Sequence, residues 1–171
     1  MSLSTNHDRP LRRAGREIKD PAAIERIFHD ATLLFLALAD EPAPYVIPVC
    51  FGRVGDTLYV HSAREGRKIE GLQSRPHVGF SASTNIKVKH GERACDFSCA
   101  ARSVVGTATA RIVEDEAERR RGLDAIMRHY AGEGAPTDYR DSSLARTCVI
   151  ALDLLDVCAK RVGSPDNEVN P

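Results

Sequence analysis

Two hydrophobic periods run through the chain, and their alternation predicts the elements. Ile24, Ile27 and Phe28 recur at helical spacing behind Asp20-Pro21, an N-cap carboxylate followed by a proline at the first helical position. This spacing predicts a short helix ending near Asp30. Apolar and β-branched residues then crowd into runs at 32–39, 45–53 and 57–61, divided by Pro42, Pro44 and the Gly55-Asp56 pair. Turns set so closely predict an antiparallel meander. A short helix follows over 66–74, stopped before Pro76, and a strand over 77–83. Residues 84–101 show no clear period and read as strand margin and loop. Residues 102–113 are β-branched and strand-like, and 114–130 form the strongest helical pattern, with Leu123, Ile126, Met127 and Tyr130 on one face. A last strand spans 147–159, with Cys148, Ile150, Leu152 and Leu154 on one side. Five or six strands with few helices predict a mainly β fold, a small antiparallel barrel with peripheral helices.

Composition narrows the class. The 171 residues suit one domain, and 42% hydrophobic with 28% charged residues is globular composition. The expected layout is a domain over 13–163 between loose polar tails at 1–12 and 164–171. Lysine plus arginine and aspartate plus glutamate each count 24, so the net charge is zero and gives no general attraction to nucleic acid or membrane surfaces. No apolar stretch of signal-peptide or membrane-spanning length occurs, the longest being 33–39, which leads to the expectation of a cytoplasmic protein. Five cysteines at irregular spacing do not form a secreted disulfide pattern, so reduced thiols are expected.

The segment Tyr59-Val60-His61-Ser62-Ala63-Arg64-Glu65-Gly66-Arg67-Lys68 carries the clearest candidate chemistry. A strand runs into a loop holding a hydroxyl and a glycine, and a helix then opens on two adjacent cations. Free N–H groups and the positive end of a helix dipole suit a phosphate, with Ser62 donating and Arg67 and Lys68 neutralising. With Leu58 and Val60 facing the core, Tyr59 and His61 turn to the opposite side, which sets His61 beside such a ligand. The same residues would also serve as the solvated face of a surface helix, so the segment alone leaves both readings open.

Five blocks in order extend the pattern: 13–18 (Arg-Ala-Gly-Arg-Glu-Ile), 45–52 (Tyr-Val-Ile-Pro-Val-Cys-Phe-Gly), 61–69 (His-Ser-Ala-Arg-Glu-Gly-Arg-Lys-Ile), 102–106 (Arg-Ser-Val-Val-Gly) and 127–130 (Met-Arg-His-Tyr). In this order they resemble the nitroimidazole-resistance-like branch of the pyridoxamine 5'-phosphate oxidase-related split-barrel flavoproteins. The resemblance implies a six-stranded split barrel, a homodimer, and FMN held in a groove between the two chains. It implies Ser62, Arg67 and Lys68 at the phosphate and His61 near the ring. It further implies the strand of Pro48, Val49, Cys50 and Phe51 along the cofactor, and Arg102 and Ser103 shaping the site from the partner chain. Two departures, Phe97 where relatives carry tryptophan and Ala101 where they often carry tyrosine, imply a reshaped substrate side. The ending Val157-Cys158-Ala159-Lys160-Arg161 lacks the arginine and histidine pattern of true pyridoxamine-phosphate oxidases, which disfavours vitamin B6 oxidation.

The expectation drawn from all this is an FMN-dependent oxidoreductase, taking electrons from NADH or NADPH and passing them to a small organic acceptor, with His61 as catalytic residue. The alternatives are a flavin store or carrier without turnover, and a split barrel that binds haem or a deazaflavin. His90, Cys95 and Cys99 lack the fourth ligand that a zinc site needs, so no metal is expected. Cys50, Cys148 and Cys158 read as small core residues, and His29, His77 and His129 are assigned no role. Arg119-Arg120-Arg121 follows Glu114, Asp115, Glu116 and Glu118 on one helix and reads as a solvated face of acid-to-base pairs rather than a nucleic-acid patch.

Overall fold

A computed structural model describes residues 11–163. The expected tails fall outside the described residues, apart from Leu11 and Arg12. Strand β1 (Glu17–Ile18) leads to helix α1 (Pro21–Asp30), where the Asp20 carboxylate accepts the Ala22 N–H at 3.2 Å and Ile24, Ile27 and Phe28 face inward. Then come β2 (Leu34–Leu38), β3 (Tyr45–Val49), β4 (Phe51–Val54), β5 (Thr57–Ala63), α2 (Arg67–Ser74) and β6 (His77–Lys89). The chain closes with β7 (Ser98–Ile112), α3 (Glu116–Ala131), α4 (Asp141–Arg146) and β8 (Thr147–Val162).

Every pairing is antiparallel, in the order β3-β2-β6-β7-β8-β5-β4, with β1 added to β8. The six-strand expectation needs correction: the described residues form eight strands, and the hydrogen-bonded path is open. Its two ends, β3 and β4, are successive pieces of one run separated only by Cys50. One bent strand therefore serves both edges of the sheet, and the chain itself, not a hydrogen-bond ladder, joins the edges of the barrel. Counting that run once and setting aside the two-residue β1 returns six.

The stretch 84–101, read as margin and loop, is a second correction. It extends β6 and β7 into a long hairpin, in which Lys87, Val88 and Lys89 pair with Ala100, Cys99 and Ser98 beyond a register shift near Asn85. The period fails there because both faces of the arm are open to solvent, so no face demands apolar residues. Helix α4 was not anticipated either. It is six residues long, and only Leu144 is buried.

Two clusters divide the interior. Leu34, Leu36, Phe51, Leu58, Val60, Val104, Ile150 and Leu152 fill the barrel, with α1 contributing Phe28 and α2 contributing Ile69 and Leu72. The opposite face of β5 and β8 is covered by α3 and α4, which bury Tyr59, Val149 and Ala151 with Leu123, Ala125, Ile126 and Leu144. The expectation that Tyr59 turns away from the barrel holds, but α3 buries it there, with its hydroxyl 3.1 Å from Glu118.

Candidate functional site

Strand β5 carries the predicted segment to the end of the barrel. Leu58 and Val60 are fully buried inside, and Ser62 continues that alternation opposite Cys148 of β8. His61 lies on the other face, opposite Val149, and is exposed. Ser62 and Ala63 belong to the strand, so the loop is confined to Arg64, Glu65 and Gly66. Gly66 has φ +107°, in the left-handed region that a Cβ disfavours, and it turns the chain directly into α2. No side chain caps this helix. The first N–H groups of α2 thus face the loop unsatisfied by any cap and carry the positive end of the helix dipole.

Cations gather around this turn. Lys68 is half-buried, and burial lowers its pKa. Partial desolvation and then the Lys68 charge lower the pKa of His61, which sets the ammonium within electrostatic reach of the imidazole. Burial raises the Cys148 thiol, and Arg64, Lys68 and Arg119 oppose that rise. Three cations, one from the loop, one from α2 and one from α3, thus act on the start of β8. None of the three has an ion pair among the described residues, and the Nε of Arg119 is buried without a hydrogen-bond partner. Arg67, the other cation expected at the phosphate, is engaged elsewhere. Its Nε donates to Asp40 at 2.7 Å and its guanidinium lies 4.2 Å from the centre of the Tyr45 ring. That hydrogen bond, and then the Glu41 N–H, hold the Asp40 carboxyl below its usual range.

The remaining predicted residues are spread around the barrel. Pro48 is exposed opposite Phe35, Val49 is buried, and Cys50 occupies the break between β3 and β4. The Phe51 side chain is fully buried, with its ring 4.6 Å from His129. Its backbone N–H donates to the Tyr130 hydroxyl at 3.2 Å, and that hydroxyl donates to the Thr32 carbonyl at 2.7 Å. Burial, with the Cys50 thiol beside it, pushes the Tyr130 pKa up to about 12. The last sequence block, Met127 to Tyr130, is therefore a clasp that fixes the strand break. His129 belongs to the same clasp through the Ala31 carbonyl at 2.9 Å.

Arg102 and Ser103 lie apart from His61. Ser103 pairs with Lys160 at one end of β8, whereas Ser62 pairs with Cys148 at the other. Those β8 positions differ by 160 − 148 = 12 residues, about 40 Å along an extended strand at roughly 3.3 Å per residue. A single chain does not bring the two blocks together. Arg119 and Arg64, read from the sequence as residues of solvated helix faces, both act on the Cys148 thiol. The acids before Arg119 masked it: Arg120 does pair with Glu116 one turn away, as a solvated face requires, but its neighbour turns inward. Among the described residues no group of three or more His, Cys, Asp or Glu side chains is placed to hold a metal ion, and no helix is long and apolar enough to cross a membrane.

The sequence pattern of the pyridoxamine 5'-phosphate oxidase family matches residues 20–161. The chain belongs to this family. Within the same fold, the chain is 34% identical to a candidate 5-nitroimidazole antibiotic resistance protein from Bacteroides thetaiotaomicron, with a TM-score of 0.76 over 86% of this chain and 87% of that one. The flavocytochrome Anf3 from Azotobacter vinelandii superposes with a TM-score of 0.74 at 20% identity, over 94% and 78% of the two chains. An FAD and haem binding protein from Mycobacterium smegmatis superposes with a TM-score of 0.75 at 21% identity, over 87% and 74%. At those identities the last two establish the fold alone. No curated protein matches the chain in sequence. The family read from the five sequence blocks is thus the family of the chain, and its split barrel is the fold.

Proposed function

We propose that this chain is a flavin-binding member of the pyridoxamine 5'-phosphate oxidase family, that its flavin is FMN, and that it is an oxidoreductase acting on a small organic acceptor. The observation that carries this reading is the turn between β5 and α2. There α2 starts without a side-chain cap a few residues after Ser62, and the half-buried Lys68 in its first turn has no ion pair among the described residues. A partly desolvated ammonium without a counter-charge is costly, and a phosphate dianion would relieve that cost. The residues present therefore fit a nucleotide phosphate.

Bound with its phosphate at this turn, the flavin supplies the redox chemistry. The protein's part is to hold and orient it. Lys68 and the α2 N–H groups fix the phosphate, Ser62 donates a hydrogen bond, and the strand from Pro48 to Phe51, held rigid by Tyr130 and His129, gives a fixed backbone edge. His61 stands exposed beside this cluster, and its lowered pKa keeps the ring neutral at pH 7, able to orient an acceptor or to relay a proton. NADH or NADPH as donor and a nitro compound or quinone as acceptor suit such a site. The separation of Arg102 and Ser103 from His61 supports a homodimer, in which the second copy brings those residues to the flavin. So does the exposed apolar face of β2 and β3, where Phe35 is 47% and Val46 56% exposed.

Purified without added cofactor, the protein is expected to be yellow and to release FMN on heat denaturation. NADH or NADPH is then expected to drive reduction of nitro compounds or quinones, with the rate strongly reduced in His61→Ala. Flavin binding without turnover would make the protein a store or carrier. A Soret band would indicate haem, and a colourless protein that takes up no FMN would overturn the reading.

A further inference from the structure

We infer that Arg119 of α3 is an anion-binding residue of this site, and that it takes the place at the phosphate that the Arg67-Lys68 pair suggests for Arg67. The inference rests on the phosphate reading above but concerns different side chains. Arg67 is already satisfied twice, by the Asp40 carboxylate at 2.7 Å and by the Tyr45 ring at 4.2 Å. Both partners belong to the edge where β2 turns into β3, so Arg67 ties the start of α2 to that edge. To reach a phosphate it would have to leave a charge-assisted hydrogen bond. Arg119 is in the opposite condition, with a buried Nε that no protein acceptor meets. Burying a guanidinium N–H without an acceptor is costly, and native proteins seldom tolerate this unless a ligand or water completes the bond.

The fold explains how a residue of α3 reaches the turn. Gly122 lets α3 settle so close to the sheet that a Cβ at that position would lie 2.6 Å from the Tyr59 ring and 3.0 Å from Val149. Arg119 is three residues earlier, on the same helix face. Val149 is the neighbour of Cys148 and the strand partner of His61. Arg119 is thereby carried on the helix that packs against the start of β8, where the charges of Lys68 and Arg64 also act. Their summed positive charge suits a phosphate dianion.

The test compares FMN with riboflavin, which lacks the phosphate, using the full-length protein freed of cofactor. Arg119→Gln is expected to weaken FMN at least tenfold and leave riboflavin affinity unchanged, with Arg119→Lys recovering part of the loss. Arg67→Gln is expected to keep the preference for FMN over riboflavin. Equal losses for both ligands in Arg119→Gln, or no loss, would overturn the inference, as would collapse of the FMN preference in Arg67→Gln alone. If the wild-type protein binds neither flavin, the functional reading fails and the anion site is judged by itself. Inorganic phosphate and pyrophosphate should then raise the melting temperature of the wild-type protein and not that of Arg119→Gln. The same shift in both proteins, or in neither, would refute the site.

Discussion

His61 and Arg67 show how far a residue's chemistry depends on its neighbours. Both belong to one short sequence block, yet one stands free beside a cation and the other is consumed by a structural tie. Because burial and Lys68 lower the His61 pKa, protonating this ring disfavours the folded state. The unfolded chain takes up the proton near pH 6.5, and the folded chain only at lower pH. The stability associated with neutral His61 is therefore complete above about pH 6.5 and is lost as the pH falls through the folded value. Urea midpoints at pH 7.5 and 5.5 are expected to fall further for the wild-type protein than for His61→Gln. Equal falls would mean that neither desolvation nor Lys68 lowers the pKa of this ring. That a phosphate-like block existed at 61–68 was legible from residue types alone. That Arg67 faces Asp40 was not, because the two are 27 positions apart and meet only when α2 packs beside the end of β2.

Helix α3 decides more at the level of elements than its amphipathic pattern suggested. It covers the outer face of β5 and β8, delivers Arg119 to the turn, and ends in the Tyr130 clasp on the strand break. Its closeness to the sheet makes an unusual demand at Gly122. By helix propensity alone, Gly122→Ala would stabilise the chain by about 1 kcal/mol. With a Cβ only 2.6 Å from Tyr59, contact repulsion outweighs that gain. Overpacking of this kind costs about 1–3 kcal/mol, so Gly122→Ala is expected to lower the melting temperature, by a few degrees in a chain of this size. An increase measured by calorimetry would mean that α3 stands further from the sheet. The β6–β7 hairpin teaches the reverse lesson: an arm with two open faces gives no hydrophobic period, so its pairing was illegible although its strands are among the longest.

For the whole molecule, the exposed β2–β3 face and the split between the His61 and Arg102 blocks belong together. Leu33, Phe35 and Val46 put apolar area on the outside of a barrel whose inner faces are already filled. Under the dimer reading, Phe35→Glu on that face is expected to convert dimers to monomers in sedimentation velocity and to weaken flavin binding in parallel. A wild-type monomer that binds flavin fully would place the entire site within one chain. The sequence by itself determined the strand and helix periods, the start of α1, the inward set of β5 and β8, and the family. Each of these depends on spacing between near neighbours or on blocks in fixed order. Only the tertiary structure decided that β3 and β4 are one bent run at both edges of the sheet, that Arg67 is tied to Asp40, and that the inward-turned cation of α3 is Arg119. Those outcomes depend on which distant segments share a face, and local sequence patterns carry no record of that.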